Sequence, residues 1–127
     1  MNRPTLVTEL EIRDLERRRY GLPVARFGRG YDAGQVDAFL VCIMAAIRDH
    51  SAANERIRAG GTAGHGWWGG ERADDRPTSL DVEEQVFEMA RRGYRMREVD
   101  ELLDEVADLL ARLEAETVAL RAAKRSG

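Results

Sequence analysis

The sequence predicts an all-α fold: two helix-turn-long-helix repeats whose long helices pair as a short coiled coil or helical bundle. Three observations predict it. First, the chain nearly repeats itself. Arg29-Gly30-Tyr31-Asp32-x-x-Gln35-Val36-Asp37-x-Phe39-Leu40 recurs 63 residues later as Arg92-Gly93-Tyr94-Arg95-x-x-Glu98-Val99-Asp100-x-Leu102-Leu103. Such a period marks a unit that cannot bury its apolar face alone. Second, charged residues make up 34% of the chain and aromatic residues 6%, which favours exposed helices over a thick core. Third, the last stretch keeps a seven-residue apolar register. Val99, Val106, Leu113 and Leu120 form one row; Leu102 and Leu109 form another, interrupted by Glu116 and widened by Leu103 and Leu110.

The elements follow in order. Residues 8–20 read as a short helix, opened by a Thr8/Glu11 capping box and stopped by Gly21 and Pro23. Residues 22–31 are a loop ending in Gly30-Tyr31. A second helix starts at Asp32, with Asp32 as N-cap and Gln35 completing a box. It runs to about Ile57, with Val36, Phe39, Leu40, Ile43 and Ile47 at helical spacing. Residues 59–79 are too glycine-rich for a regular element and read as a flexible linker. Ser79 caps a third helix over about 80–91, and a last helix spans about 96–124. The predicted units are therefore 1–58, the linker 59–79, and 80–127. Gly30 and Gly93 are expected to supply positive φ at the two turns, with Tyr31 and Tyr94 filling the corners.

Composition narrows function. A net charge of −3 gives no basis for nucleic-acid binding, which selects clustered positive charge. The helices after both turns also carry acids that would repel phosphate. Arg17-Arg18-Arg19 and Arg91-Arg92 are local basic runs that fit solvated helix ends, anionic lipid or an acidic partner. Cys42 is the only cysteine, among apolar neighbours, so it reads as a packing residue. No catalytic constellation, metal spacing, phosphate loop or cofactor motif is present: His50 and His65 share no motif, and acidic pairs such as Glu83-Glu84 sit on helix exteriors. No stretch reaches the roughly 18 apolar residues of a spanning helix. A cytoplasmic, non-enzymatic protein is expected.

The repeat resembles the N-terminal domain of the DivIVA/GpsB family of bacterial division and polarity scaffolds. In the second copy Asp81-Val82, Phe87, the turn Arg92-Gly93-Tyr94-Arg95 and the helix start Glu98-Val99-Asp100-x-Leu102-Leu103-Asp104 follow the family pattern. The first copy keeps Arg29-Gly30-Tyr31 and Val36-Asp37-x-Phe39-Leu40, but has Val24 where the family has Phe. Together the copies cover about two thirds of the chain. The resemblance implies an adaptor at the division septum or cell pole, on the inner membrane face, that takes no cofactor. It would bind division or cell-wall-synthesis proteins, or form mixed coiled coils with a longer DivIVA homologue.

The same resemblance implies a peptide groove built from Val82, Tyr94, Asp100 and Asp104, where two carboxylates one turn apart receive an Arg side chain. The first copy has Val41 in place of the second acid. The family's lipid-inserting Phe is absent: Gly28 and Arg91 stand there. Phe27, one residue off, and Trp67-Trp68 are the candidate membrane contacts. The copies either pair within one chain, as a monomeric pseudo-dimer, or between chains as a homodimer. A 25-residue helix spans about 38 Å, and the linker reaches roughly 70 Å when extended, so return to the start within one chain is open.

Overall fold

In a computed structural model, residues 7–60 and 77–126 form four helices and one two-stranded antiparallel sheet. The order is α1 (Glu9–Tyr20), β1 (Arg29–Tyr31), α2 (Ala33–Arg58), α3 (Ser79–Glu84), β2 (Met89–Arg91) and α4 (Met96–Ser126). The protein is mostly helical, as its periodicity predicts. The central part of the expected linker and the Trp67-Trp68 pair lie outside the described residues.

The helix starts follow capping chemistry. Thr8 accepts from the Glu11 backbone N–H while Glu11 reaches back to the Thr8 N–H, the reciprocal box expected there. Asp32 caps α2 by accepting from the Gln35 N–H at 3.0 Å. The box at Asp32 is not completed, however. The Gln35 side chain instead accepts from the Glu88 N–H at 2.8 Å, tying the start of α2 to the second copy.

The third helix departs from expectation. It is six residues long, not twelve, and Thr78 rather than Ser79 is its cap, in a box with Asp81. Ser79 turns its N–H and hydroxyl to the Glu114 carboxylate, both at 2.8 Å, and so pins α3 onto α4. The helix stops at Glu84 because the following backbone is committed elsewhere. Residues 88–95 exchange hydrogen bonds with residues 23–32, and a helix cannot offer those groups.

That exchange makes the sheet, which the all-α reading omits. Arg29, Gly30 and Tyr31 stand opposite Arg91, Ala90 and Met89. Beyond the ladder, Tyr31 and Tyr94 trade backbone bonds of 2.9 and 2.8 Å. The Asp32 N–H reaches the Glu88 carbonyl, the Ala25 N–H the Gly93 carbonyl, and the Arg95 N–H the Pro23 carbonyl.

Gly30 and Gly93 sit where these strands cross. Neither has positive φ, contrary to the expectation for a tight turn; positive φ occurs at Gly28 (73°) and Arg92 (59°). Both glycines are needed for a different reason. A Cβ on Gly30 would overlap the Tyr94 carbonyl, and one on Gly93 would overlap the Tyr31 carbonyl. The crossing backbones leave no room for a side chain.

The core lies along α2 and α4, which pack on each other. On α2, Val36, Leu40, Ile43, Ile47, His50, Asn54 and Ile57 are buried at alternating spacings of four and three. On α4, Val99, Val106, Leu110 and Leu113 are buried, with Leu103 partly so. Leu102 and Leu109 are also buried, but they line clefts beside α1 and the segment after it. Ile12 and Leu15 bury the apolar side of α1, while Leu10 stays exposed. Salt bridges clamp α1 from both sides: Glu16 and Glu9 to Arg48 of α2, Glu11 to Arg112 and Arg18 to Glu105 of α4. Hydrogen bonds from these arginines hold Glu9, Glu11, Glu16 and Glu105 below the usual carboxylate range.

Substituting Gly93→Ala is expected to cost at least about 2–3 kcal/mol, since backbone must move to admit the methyl group. Gly28→Ala, in open space with positive φ, should cost only about 1 kcal/mol. Urea unfolding of the two variants measures the contrast. Equal losses would show that the crossing is not tight.

Candidate functional site

The duplicated motif residues converge at the crossing. In each copy an Asp follows the turn Tyr by six residues. The tyrosines do not bond the Asp of their own copy. The Tyr31 hydroxyl donates to Asp100 Oδ1 at 2.9 Å, and the Tyr94 hydroxyl donates to Asp37 Oδ1 at 2.8 Å. Partial burial raises both phenol pKa values, and the adjacent carboxylates raise them further by favouring the protonated hydroxyl. Phe87 of the second copy packs on Tyr31 and Phe39 of the first, with ring centroids 5.5 and 5.7 Å apart.

These contacts place the four groove candidates. Val82 is buried in the core beneath α3. Tyr94 is half-buried with its hydroxyl given to Asp37. Asp100 is engaged by Tyr31, and Asp104 stands exposed one turn further along α4, with no hydrogen-bond or ion-pair partner among the described residues. Arg97 pairs with Glu101 and not with Asp100. The acids on α4 thus meet a tyrosine of the opposite copy. The expected groove, with Tyr94, Asp100 and Asp104 acting together inside one copy, is therefore not the arrangement formed. The identical Tyr-to-Asp spacing in both copies marks the four residues as a related set without saying which Tyr meets which Asp.

A second cluster lies at the outer edge of the crossing. Arg29 and Arg91 are direct partners in the sheet register, and Arg92 follows in a left-handed conformation. Arg26 joins them from the loop before β1, lining one shallow groove with Phe27, Arg29, Arg91 and Arg92. Among the described residues, Arg26, Arg29, Arg91 and Arg92 make no ion pair. Phe27 is 90% exposed in their midst. Arg95 and Arg97 extend the basic surface, each beside an acid of α4, Glu98 and Glu101. Phe27, Arg29 and the Arg91-Arg92 run stand out in the sequence, whereas Arg26 carries no motif there. Only the β1–β2 pairing brings all of them to one edge.

No helix among the described residues is long and apolar enough to cross a membrane. Comparison with known protein families, curated proteins and solved structures finds no match for this chain.

Tyr31→Phe and Tyr94→Phe should each destabilise by about 1 kcal/mol, the typical net worth of such a bond. The pH dependence carries a fixed sign. A phenol whose pKa is raised on folding contributes its full stability below the unfolded value of about 10 and loses it as pH rises through the folded value. Wild-type melting temperature should therefore fall more steeply above pH 10 than that of the double Phe variant. Parallel curves would remove the reciprocal bonds as a stabilising pair.

Proposed function

We propose that the chain is a non-enzymatic adaptor of the DivIVA/GpsB kind, in which the two copies pair in parallel and in register within one molecule. The reciprocal Tyr31–Asp100 and Tyr94–Asp37 bonds support the pairing at one end. The Asn54–Thr117 bond supports it at the other, at the same 63-residue offset. The domain would serve as a ready-made pseudo-dimer in the cytoplasm, at the septum or pole. It would bind division or cell-wall-synthesis proteins there.

The observation that carries its docking mode is the basic edge around Phe27. Like charges set directly opposite in a sheet are destabilising. A left-handed non-glycine residue adds a further cost, of the kind found at functional sites. Four arginines without an ion-pair partner among the described residues surround an exposed aromatic side chain. That arrangement suits the headgroup region of an anionic membrane, with phosphates neutralising the arginines and the ring entering the interface.

Co-sedimentation with phosphatidylserine-containing and pure phosphatidylcholine vesicles tests this reading. Binding should require the anionic lipid and weaken with salt. Each arginine is worth about 1 kcal/mol near such a surface, so Arg91→Glu/Arg92→Glu should lower partitioning at least ~10-fold. Phe27→Ser should lower it as well. Partitioning that ignores lipid charge would sink the proposal.

A second reading concerns partner segments and rests on Asp104. An exposed carboxylate one turn from Asp100 offers a two-acid face to an Arg-bearing peptide. Asp104→Ala and Asp100→Ala should each cost about 1.5–3 kcal/mol in binding such a peptide, with helicity unchanged. Calorimetry that finds equal affinity for wild type and both variants removes the groove.

A further inference from the structure

We infer that a polar layer at the end of the bundle away from the crossing selects which helix α2 pairs with. The inference rests on the in-register pairing proposed above and assigns it a chemical cause. Among the described residues the buried polar side chains are His50 and Asn54, both on α2 and one turn apart. They occupy positions where the four-three spacing otherwise places Val, Leu or Ile. Burying them there is costly unless their bonds are met.

On α4 the bonds of Asn54 and of His50 Nε2 are met. The Thr117 hydroxyl donates to Asn54 Oδ1 at 2.6 Å and lies 2.7 Å from His50 Nε2. The Asn54 amide donates to the Leu113 carbonyl and to Glu116 Oε1, both at 3.1 Å. The other Glu116 oxygen receives Arg58. Three α2 side chains are thus served by three consecutive features of α4: a leucine carbonyl, a carboxylate and a hydroxyl.

A second copy of α2 cannot offer the same set. At the 63-residue offset, His50 would stand in place of Leu113, Ala53 in place of Glu116, and Asn54 in place of Thr117. The bridging hydroxyl and the carboxylate would both be missing. Two imidazoles and, one turn on, two amides would crowd the seam. In an α4–α4 pair Leu113 and Thr117 would meet their own kind, so the penalty there is confined to Glu116 facing Glu116. Each chain contributes one helix of each type, however, so a penalty on α2–α2 alone disfavours every like-with-like dimer. Buried polar residues in helix pairs act in this way, giving up stability to fix partner and register.

Disulfide trapping in the full chain tests the inference, in a Cys42→Ser background. Ile57→Cys reports α2–α2 contact between molecules. Ile57→Cys with Leu120→Cys, at the 63-residue offset, reports α2–α4 contact, and peptide mapping identifies the bond formed. With the native layer, the double variant should close α2 to α4, and the single variant should give no covalent dimer above background. Adding His50→Leu/Asn54→Leu should raise the α2–α2 disulfide ~10-fold or more, the ratio expected from one unmet buried polar group. Glu116→Ala, which keeps a good helix former, should raise it to a lesser degree. If the α2–α4 bond forms but neither layer variant yields the α2–α2 bond, the layer does not select. If the α2–α4 bond never forms, the pairing itself is wrong, which is a separate result.

Discussion

Everything at the motif end depends on two backbones crossing without side chains between them. Tyr31 and Tyr94 exchange main-chain hydrogen bonds, and this is sterically open only because the preceding residues are Gly30 and Gly93. The crossing determines the rest by geometry. It draws residues 88–95 out of helical conformation and ends α3 at Glu84. It carries each Tyr past its own helix to the Asp of the other, and it seats Phe87 on Tyr31 and Phe39.

The two ends of the molecule have opposite chemistry. At the crossing, β1 and β2 gather arginines from separate loops, and the sheet register sets Arg29 against Arg91. Among the described residues no acid pairs with Arg26, Arg29, Arg91 or Arg92 at that edge. At the far end, the polar groups of α2 are answered by groups of α4. Among the described residues one end turns its charge outward, and the other engages polar groups within the bundle.

The two copies are not used equally. The first copy's short helix is twelve residues long and held by salt bridges to both long helices, whereas α3 has six residues and rests on α4. Thr78 rather than Ser79 caps α3, because the Ser79 N–H and hydroxyl donate to Glu114 on α4. Gln35 likewise abandons its local box for Glu88. In both cases a distant partner outcompetes a local one, and no spacing rule reports such a competition.

The sequence by itself determined what is local. Thr8 with Glu11, Asp32 before α2, and the apolar spacing of the long helices mark elements that the structure contains, because capping and periodicity act within a few residues. The duplication also made Tyr31, Tyr94, Asp37 and Asp100 legible as a related set. Only the tertiary structure decided how that set is connected. The role of Gly30 and Gly93 came from a neighbouring strand, not from their own φ. The small sheet, the shortened α3, the Tyr-to-Asp exchange and the arginine edge all arise from contacts between residues roughly 60 positions apart. Steric room and hydrogen-bond competition over that distance are properties of the folded arrangement, and no single copy of the motif contains them.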